Sequence, residues 1–379
     1  MTIHYYDVAI VGGGVIGAAV AFELAKRKYR VAILEKGTMA GESSSAAAGM
    51  LGAQAEFSTP SPLVPLALKS RTLMPSLAEE LKERTGIDIG LVEKGMIKIA
   101  TTEEEAEDLR RHYTFWSATD QPVRWLTKEE VLEIEPRLAM EAIVGAMYIE
   151  GDGQVSAPDL AAALVHAAVS AGARLYEYTE VLNIRSDAGG HHLDTTDGTF
   201  SAEAVVIASG AWASQLGNLL GLPLSVSPVK GECVMVRTPV PLLQATVFAK
   251  NGCYIVPKRG NQLLIGATST PGTYDRHVCA GGVMNLLHRA ARLLPDVKQA
   301  EWVRAWSGIR PQTKDGLPYI GEHPERHGVF VAAGHYRNGI LLSAITGQLM
   351  ADLIERKEPE VDLSPFSLTR HSEEKVGIE

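Results

Sequence analysis

The stretch YYDVAIVGGGVIGAAVAFELAKRK (5–28), followed by RVAILEK (30–36), decides the fold. Residues 5–11 read as a buried strand, 12–28 as a helix and 30–36 as a second strand. Gly12-Gly13-Gly14-Val15-Ile16-Gly17 satisfies G-x-G-x-x-G at the strand–helix junction. Gly12 permits the tight turn, Gly14 lets backbone approach a pyrophosphate, and Gly17 lets the helix pack closely on the strand. The helix start then offers unpaired N–H groups to phosphate oxygens. Glu35 ends the second strand, where a carboxylate accepts from ribose hydroxyls and disfavours a 2′-phosphate. Lys26, Arg27 and Lys28 fall where the helix dipole favours cations. The ligand is therefore NAD or FAD rather than NADP.

The next segment, GESSSAAAGML (41–51), favours FAD. Its small residues let backbone pass close to a large planar ligand. Ser43, Ser44 and Ser45 add hydroxyls for phosphate or ribitol oxygens.

Composition limits the alternatives. The chain has 379 residues, 46% hydrophobic and 21% charged, enough for two domains with sizeable cores. A net charge of −9 with no basic run argues against a nucleic-acid partner. Cys233, Cys253 and Cys279 form no C-x-x-C pair, which speaks against a disulfide framework or a metal knuckle and fits a reducing cytoplasm. The first apolar run lacks a basic leader and is broken by glycines, so no secretory signal is expected. AAALVHAAVSAGA (161–173) is too short for a membrane span, and the tail 369–379 is expected to be loosely held.

Along the chain, 157–173 reads as a helix, 173–178 and 202–210 as strands, and 340–356 as a buried helix after the strand 328–333. MIKIATTEEEAEDLRRHY (96–113) is a strand followed by an acidic-started helix. Segments 227–238, 251–268 and 301–313 read as antiparallel strands with Gly, Pro and Asn turns. The fold class expected is α/β plus α+β: a Rossmann-like FAD-binding domain interleaved with an antiparallel-sheet substrate domain. The expected segments are 1–85, 145–222 and 318–368 for the first, and 86–144 and 223–317 for the second.

These residues resemble those of the FAD-dependent amine oxidases related to D-amino-acid oxidase and sarcosine oxidase. The resemblance rests on DVAIVGGGVIGAAVAFELA (7–25), ILEKG (33–37), SSSAAAGMLGA (43–53), VVIASGAWA (205–213), VKGE (229–232), CYIVP (253–257), GIRPQTKDGLPYIG (308–321) and AAGHYRNGILL (332–342), in family order. SSSAAAGMLGA, CYIVP and GHYRNGILL together are most similar to the glycine-oxidising branch that serves thiamin thiazole synthesis. The resemblance implies that Val15, Ile16, Glu35, Lys36, Ser43, Ser44, Ala48, Gly49 and Met50 line FAD, with Val181 on the adenine side. It places His335, Tyr336, Arg337, Asn338, Gly339, Ile340 and Leu341 against the flavin ring. Gly308 stands where some relatives carry a flavin-linked cysteine, so noncovalent FAD is expected.

Arg310 interrupts a strand-like stretch before a proline turn, and its planar fork of donors matches a carboxylate. The resemblance makes it the clamp on a substrate carboxylate, with Tyr254 giving a second hydrogen bond. Ser269 and Tyr274 are lesser candidates for shaping the pocket. The resemblance places Arg337 by the active site, serving either the substrate or the flavin, with a plain ion pair capping the turn as the alternative. Expected partners are glycine, sarcosine and small D-amino acids with dioxygen, and a homotetramer; no membrane partner is expected. A broad D-amino-acid oxidase and a quinone-linked dehydrogenase remain alternatives.

Overall fold

The computed structural model describes residues 3–250 and 252–371, so most of the tail 369–379 lies outside the described residues. An eight-stranded sheet carries the glycine-rich turn. Its main path runs Tyr319–Glu322, Val329–Ala333, Gly198–Ile207, Ile3–Val11, Val31–Leu34 and Arg174–Tyr176, with the hairpin Val181–Asp187 and Gly190–Thr195 attached to Gly198–Ile207. Ile3–Val11 is parallel to both of its neighbours, as a doubly wound nucleotide-binding sheet requires. Val8, Ala9 and Ile10 are fully buried because helices or other strands cover both faces.

Three apolar helices, Val15–Lys26, Ala157–Ser170 and Gly339–Ile354, pack together on this sheet. Alanines on Val15–Lys26 and Gly347 on Gly339–Ile354 let the backbones come close. A Cβ at Gly347 would lie 2.9 Å from the Ala19 carbonyl oxygen. Gly339–Ile354 is buried nearly all round over Ile340–Thr346, more than a single apolar stripe implies. The 23-residue helix Leu63–Thr85, with Pro75 inside it, packs on the same group. Its four prolines nearby, Pro60, Pro62, Pro65 and Pro75, hide the helical pattern in the sequence.

The second sheet has nine strands, ordered Thr270–Pro271, Val226–Arg237, Gln262–Gly266, Tyr254–Lys258, Thr246–Ala249, Met96–Ala100, Gly145–Ile149 and Val123–Leu126, with Glu301–Thr313 also paired to Val226–Arg237. All pairings are antiparallel except Thr246–Ala249 with Met96–Ala100. One expected boundary needs correction. Gly145–Ile149, assigned above to the FAD-binding segments, pairs with Met96–Ala100 and Val123–Leu126 in the second sheet. The partners that decide its place lie far off in sequence, so local pattern cannot set that boundary.

Helix ends differ from the sequence reading in a systematic way. The first helix spans Val15–Lys26, because Gly12–Gly14 form the turn before it; Lys28, at φ 72°, lies outside it. Helix Glu103–Ser117 begins at Thr102, whose hydroxyl accepts from the Glu105 amide, with three glutamates in its first turn. No helix among the described residues is long and apolar enough to cross a membrane.

Candidate active site

The glycine-rich turn builds one end of the site by backbone shape. Gly12 has φ 113°, and a Cβ there would lie 2.5 Å from the Ala208 carbonyl oxygen. A Cβ at Gly17 would lie 2.0 Å from the Gly12 carbonyl oxygen, so Gly17 brings helix against strand rather than lining the site. Both Glu35 carboxylate oxygens accept backbone amides, from Gly13 and Gly37, each at 2.8 Å. The Val15 amide donates to Ser44 Oγ at 2.9 Å. Ser43 Oγ donates to the Ile309 carbonyl, tying the 43–46 turn to the second sheet.

Three cavities of about 310, 100 and 470 Å³ run end to end from this turn to the second sheet. The first holds Gly12, Gly14, Glu35, Lys36, Ser43, Ser44 and Val181 on its lining, and shares Gly14, Ser43 and Ser44 with the second. The second adds Val15, Ile16, His335, Tyr336, Arg337, Gly339 and Ile340. The third adds Ala48, Gly49, Met50, Asn338, Tyr254, Arg310 and Ser269. Leu341, expected at the ring, is instead buried in the core, with its carbonyl accepting from Ser70 at 2.5 Å. Tyr274 stands outside these linings, stacked near Trp212.

The trough fits an FAD molecule in its chemistry. Ser209 Oγ is buried on the first cavity's lining with no hydrogen-bond partner among the described residues, which suits a ligand acceptor or donor there. Gly12, Gly14, Ser43, Ser44, Val15 and Ile16 would hold the pyrophosphate, and Glu35 the ribose. Lys36 is held 3.6 Å over the Trp212 ring, which keeps the ammonium at the rim.

At the other end, two glycines open the sheet face. Tyr254 faces Gly266 on the adjacent strand, and Gly266 faces Cys233 on the next. A Cβ at Gly266 would come 2.5 Å from the Tyr254 ring, and one at Gly231 would come 2.3 Å from Arg310 Nη2. The two side chains therefore lie across the sheet over glycines, which sequence reasoning left unremarked although a glycine inside a strand marks such a close approach. Arg310 Nη1 donates to the Thr268 carbonyl at 3.2 Å and has no carboxylate partner among the described residues. Tyr254 is fully enclosed, its hydroxyl 3.7 Å from Cys233 Sγ, and burial raises its pKa well above the usual phenol value. It stays a hydrogen-bond donor throughout the physiological range. A Gly231→Val variant is expected to push Arg310 aside. Its KM for a carboxylate substrate should rise at least about tenfold with flavin content unchanged, as steady-state kinetics with absorbance at the flavin band will show.

The turn Gly334–Gly339 leads from strand Val329–Ala333 into helix Gly339–Ile354. Gly334, at φ 81°, makes the bend, and Tyr336 takes a left-handed φ of 48°. Gly339 has ordinary clearance from the protein itself, with His335 Cβ at 3.7 Å. Arg337 is not a lone cation: its Nη2 donates to Glu56 Oε1 at 3.0 Å, and this carboxylate holds its pKa up. His335 Nε2 shares a hydrogen with Thr346 at 3.1 Å, and burial pushes the imidazole down to about 3. The ring is therefore neutral through the physiological range. Because the unfolded imidazole titrates near 6.5, the unfolded chain binds the proton first. Stability should therefore fall as pH drops below that value, by about 1.4 kcal/mol per unit for this one group. The melting temperature of His335→Gln should depend less steeply on pH between 7 and 5 than that of the wild type.

A glycine-turn sheet and a long trough ending in arginines fit a flavin-dependent oxidoreductase. The profile of the FAD dependent oxidoreductase family matches residues 7–353, and the chain belongs to that family. It is an enzyme of that class with FAD as its cofactor. It is 78% identical over 376 residues to the glycine oxidase of Geobacillus kaustophilus (strain HTA426), covering 99% of this chain and 100% of the relative. The crystal structure of glycine oxidase from Geobacillus kaustophilus superposes with a TM-score of 0.96, covering 97% of this chain and 99% of that one. The glycine oxidase of Bacillus subtilis (strain 168) is 41% identical over 97% of this chain and 98% of its own. The bifunctional protein ThiO/ThiG of Trichormus variabilis is 35% identical over 96% of this chain, which spans 55% of that protein.

Proposed function

We propose that the protein oxidises glycine, with sarcosine and small D-amino acids as further substrates, to glyoxylate or the matching oxo acid. The Arg310 guanidinium carries this reading: it faces the 470 Å³ cavity beside the buried Tyr254 hydroxyl and has no carboxylate partner among the described residues. A charged planar fork beside an apolar wall calls for a carboxylate, and the relatives named glycine oxidase support the smallest amino acid. FAD, held noncovalently by the Gly12–Gly17 turn and the Ser43–Met50 segment, would supply the two-electron oxidation of the substrate amine, with dioxygen as the final acceptor and hydrogen peroxide as its product. Water then adds to the substrate imine and releases ammonia.

The chain's own residues orient rather than exchange protons. Arg310 and Tyr254 hold the carboxylate, so the α-carbon is fixed before reaction. Among the described residues the lining has no His–carboxylate pair, and a neutral substrate amine needs none. Glyoxylate imine supply to thiamin thiazole synthesis, a cytoplasmic location and a homotetramer belong to the same proposal, by resemblance to the glycine-oxidising branch. Peroxide release should be measured across glycine, sarcosine, D-alanine, D-proline and bulky D-amino acids. The reading expects peroxide from the small amines. Dye reduction without peroxide overturns dioxygen as acceptor, and turnover of bulky D-amino acids alone overturns the substrate.

A further inference from the structure

The segment Gln54–Phe57 edges the third cavity through Glu56, and buried side chains from other elements hold its backbone polar groups. The Asp152 carboxylate accepts the Gln54 amide at 3.1 Å and the Ala55 amide at 2.8 Å. His112 Nε2–H donates to the Gln54 carbonyl at 2.9 Å, and Lys98 Nζ to the Ala55 carbonyl at 2.6 Å. Trp116 Nε1–H donates to the Phe57 carbonyl at 2.7 Å. Lys98 also donates to His112 Nδ1 at 3.2 Å, which fixes the tautomer that leaves Nε2 as donor. Arg71 pairs with Asp152 at 2.7 Å and with the Gln54 side chain at 2.9 Å.

Asp152, Lys98, His112 and Trp116 are buried and none of them lines the cavity, so their joint effect on the site is to place residue 56. Buried charges are costly unless paired or hydrogen-bonded; Asp152 is paired with Arg71, and Lys98 is hydrogen-bonded to the Ala55 carbonyl and to His112. The placed side chain is an acid inside an acid-binding site. Its oxygen takes up Arg337 Nη2, which leaves Arg310 as the clamp. Arg289, the third cation on the lining, comes from Ala280–Leu293 and is common to every variant below.

We propose that Glu56, placed by this buried cage, restricts the site to substrates with one carboxylate by keeping the Arg337 guanidinium occupied. A second acid group on the substrate would meet the Glu56 charge and an arginine already paired; both disfavour it. Glycine carries no such group. The inference rests on the reading of Arg310 and Tyr254 as a carboxylate clamp.

Calorimetric titration of the holoenzyme with acetate and with malonate tests it without turnover. Glu56→Gln is expected to raise the malonate-to-acetate affinity ratio by roughly 3- to 10-fold, because it frees a partly exposed guanidinium at the cavity edge. The kcat/KM ratio for iminodiacetate over glycine should move the same way. Glu56→Ala serves as a second variant should the amide fold poorly. Adding Arg337→Gln should return the ratio to the wild-type range. Asp152→Asn, which weakens the anchor, should shift the ratio in the same direction by a smaller factor. A ratio unchanged in both Glu56 variants, or a shift that survives the loss of Arg337, overturns the inference. An unchanged ratio in Asp152→Asn, with only a lower melting temperature, removes the cage from it. A wild type that binds acetate yet does not oxidise glycine overturns the substrate reading alone.

Discussion

Arg310→Ala is expected to cut kcat/KM for glycine by roughly 30- to 1,000-fold, the equivalent of about 2–4 kcal/mol, while the protein stays yellow. The guanidinium lies on strand Glu301–Thr313 and is not bonded to the 43–46 turn or the glycine-rich loop, so its loss leaves the flavin contacts standing. The effect should sit mostly in KM if the clamp holds ground state and transition state alike. Arg310→Lys should recover only part of it, because a point charge cannot make the two-pronged contact. Steady-state kinetics with a flavin spectrum on the same sample decides. Equal loss of flavin and activity would mean that Arg310 supports the fold instead.

Gly17→Val should give a colourless protein with a lowered melting temperature. A Cβ at this position would stand 2.0 Å from the Gly12 carbonyl oxygen and 3.3 Å from the Ile10 side chain. Backbone cannot yield there without moving helix Val15–Lys26 away from strand Ile3–Val11, and overpacking of this kind costs about 1–3 kcal/mol or more. Moving the helix also removes its first amides from the phosphate end of the trough, so flavin and stability fall together. Flavin absorbance relative to protein, with a thermal melt, reads both. Full flavin content would show that the turn tolerates the separation.

Much of the first sheet was legible because its signals are local. Gly17 and Glu35 act on neighbours within the same strand–turn–helix–strand unit: Gly17 packs against the Gly12 carbonyl, and Glu35 accepts the Gly13 amide. The long strands 226–237, 254–258, 262–266 and 301–313 were legible from alternation and turn residues. Helix Leu63–Thr85 was not, since its prolines break the propensity signal while packing on Gly339–Ile354 supplies the stability. Strand Gly145–Ile149 went to the wrong side of a boundary for a related reason: its register depends on Met96–Ala100 and Val123–Leu126.

The sequence by itself determined that this chain holds a dinucleotide at a glycine turn, because that site is made of consecutive backbone. Tertiary structure decided how the acid-binding end is built. Arg310 and Tyr254 meet only because Gly231 and Gly266, on two other strands, leave the sheet face bare between them. Glu56 meets Arg337 where Asp152, Lys98 and, from one helix, His112 and Trp116 bond the backbone of its neighbours Gln54, Ala55 and Phe57. Charge pairing and steric clearance act between atoms close in space, and chain order does not record that closeness.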